Sequence, residues 1–137
     1  MRETVTIQVG QCGNQIGNQF WSQLLVEHEH TPDTDDALSA FFRFAPSSSS
    51  SNRGGSSTLQ MKARALLIDM ECGPLTETMR GPLGSLFDET QYVMDVYGAG
   101  NNFANGHFVY GPKYRATFEE SLRRVVEHCD SLQVVLS

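Results

Sequence analysis

Several features that would place this chain in a common protein class are scarce or absent. Lysine occurs only at Lys62 and Lys113, and the formal net charge of the 137 residues is −6. A protein that binds a nucleic-acid backbone needs a clustered basic face, so we expect no nucleic-acid partner. No apolar run is long enough to span a bilayer, and the chain enters a strand at once, so we expect neither a membrane segment nor a signal peptide.

Cysteine and nucleotide-binding motifs are also sparse. Cys12, Cys72 and Cys129 are odd in number, widely spaced and without a C-x-x-C pair, which predicts free thiols in a reducing compartment. Neither the dinucleotide motif G-x-G-x-x-G nor a P-loop G-K-[ST] occurs. With 39% hydrophobic residues the chain can form a core, and its 137 residues are enough for one domain at most.

The first informative stretch is glycine-rich and begins at Gly10. Residues 4–9 alternate in polarity and predict a strand, whereas Ile16, Phe20 and Leu24 recur every four residues, with Trp21, Leu25 and His28 beside them, and predict an amphipathic helix. Residues 10–17 therefore join a strand to a helix N-terminus. Unpaired amides and the helix dipole favour a phosphate there, although a tight turn without a ligand remains an alternative.

An acid pair follows the second predicted strand. Residues 63–68 form a largely apolar run, typical of a strand covered on both faces, and Asp69 and Glu71 come directly after it. On extended backbone these two carboxylates lie on the same side. They would suit Mg²⁺ held through its waters, and the alternative is two solvated loop acids.

A second loop of small residues follows the third predicted strand, residues 91–96. It contains Gly98, Ala99, Gly100, Asn101 and Asn102, which can curl into a nest of amides around an anion. A helix over residues 114–129 and a fourth strand from residue 132 follow. In that helix, Glu119 and Arg123 are expected to form an i,i+4 ion pair.

The remaining segments predict connections. Residues 74–87 indicate a short helical region interrupted by glycine, and residues 31–58 a long connection with a flexible serine- and glycine-rich loop at about 45–58. His28 and His30 lie two residues apart, so they point to different sides of a helix and favour a solvated helix end over a metal site.

The alternation of strand, loop and helix predicts an α/β fold, a Rossmann-like, mostly parallel sheet with helices on both faces. In such a sheet the strand-to-helix loops emerge at one edge. The loops at Gly10, at Asp69 and Glu71, and at Gly98 should therefore converge. Two amide-rich loops and an acid pair together predict a site for a nucleotide phosphate and Mg²⁺.

Four segments also resemble the tubulin family, in order and in register along nearly the whole chain. They are Met1-Arg2-Glu3, Gly10-Gln11-Cys12-Gly13-Asn14-Gln15-Ile16-Gly17, Ile68-Asp69-Met70-Glu71 and the run from Gly98 to His107. Within the family, residues 39–43, 62–71 and 127–130 look most like the epsilon branch, which belongs to centrioles and basal bodies.

The resemblance implies GTP or GDP with Mg²⁺. In the first phosphate loop it implies a role for Gln11 and Cys12, with Cys12 and Gln15 near the base and sugar. It further implies that Glu71 holds magnesium with Asp69 beside it, and that the loop at Ala99, Gly100 and Asn101 senses the γ-phosphate. The family is a polymer-forming GTPase class. The implied partners are other tubulin subunits or centriolar proteins, and the implied location is the cytoplasm and cytoskeleton, including the centrosome, centriole or basal body.

Departures from the family pattern qualify these expectations. The family's glycine-rich loop after the fourth strand, its guanine-reading asparagines and its hydrolytic acidic loop have no counterpart here, so we expect an N-terminal fragment that binds GTP weakly and does not turn it over. Cys72-Gly73 replaces the more usual Pro-Gly after the acid. The alternatives are a truncated, non-catalytic binding module and, less favoured, an NAD-type domain with Asp69 on a ribose hydroxyl.

Overall fold

The elements of the fold are those of an α/β domain. The structure, a computed structural model, describes residues 2–30, 35–46 and 59–137. In chain order the helices and strands are β1 (Glu3–Val9), α1 (Gly10–His30), α2 (Asp35–Phe41), β2 (Phe42–Pro46), β3 (Leu59–Ala63), β4 (Ala65–Asp69), α3 (Cys72–Arg80), β5 (Tyr92–Met94), α4 (Phe103–Asn105), a π-helical turn (Gly106–Tyr110), α5 (Gly111–Glu127) and β6 (Leu132–Leu136). Two 3₁₀ turns, Gly84–Leu86 and Glu89–Gln91, lie between α3 and β5.

The main sheet has four parallel strands in the order β5-β4-β1-β6. Ile7 of β1 lies opposite Leu66 of β4, and Ile68 lies opposite Val93 of β5. The carboxyl ends of β1, β4 and β5 are therefore at the same edge, and each leads towards a helix. The predicted fold class is confirmed.

Helices cover both faces of this sheet because alternate strand residues point to opposite sides. On one face, Ala65 and Leu67 are fully buried in a core with Trp21 of α1 and Leu75 of α3. On the other face α5 packs against β4 and β5, where Leu66, Val93 and Val125 are buried.

The buried face of α1 includes Trp21, Leu24 and Leu25 of the predicted amphipathic run, but not Ile16 or Phe20. Ile16 is 65% exposed and Phe20 is 36% exposed, whereas Trp21 is fully buried. The inward stripe begins with Asn14 and continues through Asn18, whose Nδ2 donates to Thr78 Oγ1 of α3 at 2.7 Å. Contact with α3 thus turns the face of α1 that carries Asn14 and Asn18 inward, which the four-residue apolar period did not indicate.

The predicted connection over residues 31–58 contains regular structure. The helix α2 and the strand β2 lie within it, and β2 pairs with β3 as an antiparallel hairpin. Ala45 and Pro46, at the start of the loop predicted at about 45–58, belong to β2. The rest of that predicted loop, residues 47–58, lies outside the described residues.

The predicted strand over residues 63–68 is divided at Arg64. Ala63 ends β3 and Ala65 begins β4. The Arg64 side chain turns inward, where its Nη2 donates to Glu3 Oε1 at 2.6 Å and its Nη1 donates to the His128 carbonyl at 2.5 Å. Both members of this ion pair are buried, so the start of β1 is fastened to the end of α5.

Other predicted boundaries and pairs also shift. The strand β5 covers only Tyr92–Met94 of the predicted 91–96, and helical backbone begins at Phe103, well before the predicted residue 114. Glu119 pairs with Arg115 at 2.7 Å, so the predicted Glu119–Arg123 pair is wrong. Arg123 binds Glu120 and Glu127 instead.

In the part of the chain that the structure describes, no helix has the length and apolar character to cross a membrane. The three cysteines are free thiols, as predicted, with Cys12 and Cys72 exposed. Among the described residues, no group of three or more His, Cys, Asp or Glu side chains is arranged to hold a metal.

Candidate functional site

The carboxyl ends of β1, β4 and β5 open into one cleft of about 530 Å³, called here the main cleft. Seven of the ten residues selected from the sequence line it: Gly10, Gln11, Asp69, Glu71, Ala99, Asn101 and Asn102. Its other lining residues are Val9, Ile68, Met70, Phe103, Gly106 and His107. The three loops thus meet at the sheet edge where the parallel topology places them.

The other three selected residues lie outside the main cleft. Gln15 lines an adjoining side cleft of about 280 Å³ between α1 and α3, which shares Gln11 and Glu71 with the main cleft. Cys12 is exposed on the first turn of α1, and Gly100 is exposed between two lining residues. The selected residues therefore surround two adjacent spaces joined at Gln11 and Glu71.

The first loop is short because α1 begins directly at the end of β1. Gly10 has a φ of +71°, a left-handed conformation that turns the chain from strand to helix. The Asn14 Nδ2 donates to the Gly10 carbonyl at 2.8 Å and to the Ile68 carbonyl at 3.1 Å. Asn14 thereby fastens the end of β4 to the start of α1, where Gly10 and Gln11 line the main cleft.

Asn14 was not selected from the sequence, although it is 1% exposed and joins two of the three loops. The available signal was an asparagine one turn into a helix, where that residue has a modest helix propensity. A polar side chain at such a position favours a local backbone hydrogen bond, which here is the bond to Gly10.

The acid pair divides into a buried and an exposed carboxylate. Asp69 is 8% exposed, and its Oδ1 accepts a hydrogen bond from the Glu71 amide at 3.0 Å. Its Oδ2 is buried without a partner among the described residues, while Glu71 is exposed. An unpartnered buried carboxylate oxygen beside a second carboxylate fits a hydrated divalent cation, which would supply the missing donors through its waters.

The third loop forms a turn with two consecutive left-handed residues, Gly100 (φ +65°) and Asn101 (φ +55°). It is held from within, because the Asn105 Nδ2 donates to the Ala99 carbonyl at 3.2 Å and the Asn102 Oδ1 accepts from the Asn105 amide at 3.3 Å. Consecutive amides in such a turn form a concave anion site. Left-handed φ is accessible to asparagine, which explains the residue type at 101.

Two aromatic side chains that were not selected flank the opening of the main cleft. The rings of Phe103 and His107 stack in parallel, with centroids 5.5 Å apart. Phe103 is 81% exposed, which is unusual for a residue of its size. Their i,i+4 spacing on a helix was the signal available from the sequence.

The charges of the main cleft are acidic. Asp69 and Glu71 line it, and its described lining residues include no lysine or arginine. A bound phosphate would therefore rely on backbone amides and the α1 dipole for its favourable contacts. A bridging cation would also be needed to offset repulsion from the two carboxylates.

Comparison with known proteins is consistent with this geometry. Residues 3–137 match the model of the Tubulin/FtsZ family, GTPase domain. The chain belongs to this family. The match confirms the resemblance drawn from the four sequence segments, and the alternative of an NAD-type domain is set aside.

Two curated relatives carry the same resemblance to the epsilon branch. The tubulin epsilon chain of Mus musculus is 45% identical over 139 aligned residues, and that of Homo sapiens is 44% identical over 139. Each alignment covers 97% of this chain and 29% of the relative. The chain therefore spans less than a third of the length of these relatives.

Proposed function

We propose that this chain binds a guanine nucleotide, GTP or GDP, together with Mg²⁺ in the main cleft, as the N-terminal part of the GTPase domain of a tubulin-like cytoskeletal subunit. The observation that carries the proposal is the meeting of the three strand-end loops in one cleft, within a domain that matches the GTPase domain of this family. Two of these loops offer amides and the third offers carboxylates.

Each loop has a distinct task in this proposal. Amides at Gly10, Gln11 and Cys12, favoured by the α1 dipole, bind phosphate oxygens, and the turn at Ala99, Gly100 and Asn101 binds the terminal phosphate. Asn102 supports that turn through its bond to Asn105. Cys12 and Gln15 lie towards the sugar and base.

Asp69 and Glu71 would hold the magnesium ion through its waters. The ion, when bound, neutralises phosphate charge that would otherwise repel the two carboxylates. Asp69 is suited to this role because its buried Oδ2 has no partner among the described residues. Glu71 is exposed to the same space and supplies the second carboxylate.

The proposed partners are other tubulin subunits or centriolar proteins, in the cytoplasm and cytoskeleton. The centrosome, the centriole and the basal body are the expected sites for a protein similar to tubulin epsilon chains. We propose no hydrolytic residue within the 137 residues, and we expect weak GTP binding without turnover from this chain alone.

The test measures GTP binding to the 137-residue chain by amide chemical shifts, which detect weak binding, in Mg²⁺ and in EDTA. We expect Glu71→Gln to weaken binding about tenfold or more in Mg²⁺, as outer-shell changes at metal sites do, and little in EDTA. Asn101→Ala should weaken binding in both conditions, because alanine disfavours the left-handed φ of +55° that this phosphate-binding turn requires.

The matched control is Glu89→Gln, which removes the same charge from an exposed glutamate outside both clefts. It should bind GTP like the wild type. If Glu71→Gln and Asn101→Ala both bind as the control does, the proposed site is wrong. Micromolar binding by the wild-type chain would show that the expectation of weak binding is wrong.

A further inference from the structure

Tyr110 lies behind the third loop and holds its first residues. Its hydroxyl donates to the Tyr97 carbonyl at 2.6 Å and lies 3.5 Å from the Gly98 carbonyl. Tyr110 ends the π-helical turn and immediately precedes α5. The bond from Tyr110 to Tyr97 therefore joins the end of this turn to the main chain that leads into the main cleft.

Gly98 in turn is packed against the acid pair. A Cβ placed on Gly98 would come within 2.6 Å of both Cγ and Oε1 of Glu71, so only a hydrogen atom fits between them. The backbone at Gly98 therefore limits where the Glu71 carboxylate can lie. A displaced backbone at Gly98 would therefore change the space open to the Glu71 carboxylate.

The first turn of α5 holds the chain just before Tyr97. Tyr114 Oη donates to Asp95 Oδ2, and Lys113 Nζ donates to the same oxygen at 2.9 Å. The rings of Tyr110 and Tyr114 stack in parallel with centroids 6.2 Å apart, and Lys113 Nζ lies over both rings. Residues 95–98 are thus fixed to the start of α5 at Asp95 and again at Tyr97.

We propose that Tyr110 is a positioning residue for the cation side of the cleft. Its hydroxyl fixes the backbone at Tyr97 and Gly98, and that backbone places the Glu71 carboxylate where a divalent cation bound to phosphate would be held. The inference rests on the proposed function, in which Glu71 holds that cation. It adds a residue that lines neither the main cleft nor the side cleft.

The test compares Tyr110→Phe with the wild-type 137-residue chain. Its measure is the ratio of the GTP dissociation constants in EDTA and in Mg²⁺, which reports how strongly the cation promotes binding. We expect Tyr110→Phe to lower this ratio about two- to fivefold, less than Glu71→Gln does, while binding in EDTA changes by less than about twofold. The urea midpoint should fall slightly, as loss of one intramolecular hydrogen bond does. A merely structural tyrosine would lower the midpoint and weaken binding equally in both conditions, which leaves the ratio unchanged.

Tyr97→Phe is the matched control. It removes the hydroxyl of a side chain that is 76% exposed in the same loop, so the ratio should remain that of the wild type. Gly98→Ala should lower the ratio as Tyr110→Phe does, because its methyl group would displace Glu71 directly. A ratio for Tyr110→Phe within twofold of the Tyr97→Phe value would overturn the inference.

Ligand-free spectra separate this inference from the proposed function. In Tyr110→Phe, the Gly98 amide resonance should shift, because this amide shares a peptide group with the Tyr97 carbonyl that loses its hydrogen bond. The Glu71 resonances should shift with it, whereas Tyr97→Phe should leave the Glu71 resonances unchanged. If the wild type shows no magnesium-dependent GTP binding, the proposed function fails, and these spectra still decide whether Tyr110 positions Glu71. Unchanged Gly98 and Glu71 resonances in Tyr110→Phe would overturn the positioning role.

Discussion

The Tyr92 side chain contacts the core cluster while its hydroxyl has no partner among the described residues. Its ring meets Phe87 edge to face at 6.1 Å, so aromatic packing holds the hydroxyl in a site that suits a phenylalanine. Burial raises the pKa of Tyr92 to about 12, because the phenolate would lose its hydration. The packing of the Tyr92 ring therefore contributes more to folding stability than its hydroxyl, which makes no hydrogen bond to the described residues.

Tyr92→Phe is therefore expected to keep or raise the free energy of unfolding at neutral pH, by up to about 1 kcal/mol. In the wild type, an unfolded tyrosine loses its proton near pH 10, whereas folded Tyr92 keeps it to about 12. The unfolded chain thus binds fewer protons in this range, so stability is complete below about pH 10 and falls as the pH rises towards 12. Tyr92→Phe should lack this part of the fall.

The measurement is urea unfolding of both proteins at about pH 9 and about pH 11, since lysine and cysteine titrations are common to the two. Tyr97→Phe serves as the exposed control and should lose as much stability as the wild type. Equal losses in Tyr92→Phe and the wild type would contradict the buried-hydroxyl account.

The acid pair shows how far single residues could be assigned from sequence. The position of Asp69 and Glu71 after an apolar strand predicted that both carboxylates face one space, and both line the main cleft. The residue types at positions 69 and 71 did not indicate which of the two carboxylates is buried. Asp69 is buried because it is the last residue of β4, whereas Glu71 lies beyond the sheet, just before α3 begins at Cys72.

At the scale of elements, α1 is organised around Trp21 and the polar stripe beside it. Trp21 packs against Phe42 and Phe87 at centroid distances of 5.4 and 6.1 Å, which joins α1 to the hairpin and to the turn before β5. Ile16 faces outward over the end of the sheet, next to Leu136 of β6. Burial on α1 thus depends on neighbouring elements more than on the apolar period.

Trp21→Ala and Ile16→Ala should accordingly have very different effects. Loss of the buried indole is expected to cost about 3–5 kcal/mol through lost transfer energy and a residual cavity. Ile16→Ala should change stability by about 0.5 kcal/mol or less, as for an exposed position. Equilibrium urea unfolding measures both.

If Trp21→Ala does not fold, Trp21→Phe provides a milder truncation that should still cost more than Ile16→Ala. A larger loss of unfolding free energy from Ile16→Ala than from either Trp21 variant would contradict this assignment, because it would show that Ile16 lies in the core.

The elements that the sequence analysis missed differ in whether a local signal was available. The hairpin of β2 and β3 joins residues on opposite sides of 47–58, so its pairing depends on a contact between separate segments. The early start of helical backbone at Phe103 had a local signal, because Asn102 caps that helix through the Asn105 amide. Local chemistry was therefore sufficient for the cap, and insufficient for the hairpin.

At the scale of the whole molecule, the sheet ends in an exposed strand. All five residues of β6 are exposed, with Val134, Val135 and Leu136 each more than 40% accessible. β6 pairs with β1 on one side, and among the described strands none pairs with its outer edge. An apolar edge with unpaired amides favours association between copies.

We therefore expect the 137-residue chain to self-associate with rising concentration, and Val135→Lys to reduce this association by placing a charge on the edge strand. Sedimentation velocity over a concentration series measures the monomer fraction, with circular dichroism to check that the fold is kept. Thr117→Lys adds the same charge at an exposed α5 position and should associate like the wild type. A wild-type chain that stays monomeric throughout would contradict the prediction.

Local signals in the sequence were enough to predict the fold class and the edge of the sheet that carries the candidate site: strand and helix periods, glycine and asparagine turns, and acids at a strand end, which parallel topology must gather on one side. The family came from the resemblance of four segments to tubulins, which the family match confirms. The folded arrangement was needed to see which face of α1 is buried, that Asn14 fastens two loops, and that the Tyr110 hydroxyl bonds the backbone beside Gly98, which packs against Glu71. Those contacts join residues distant in the sequence, and their geometry depends on how the helices and the sheet pack together.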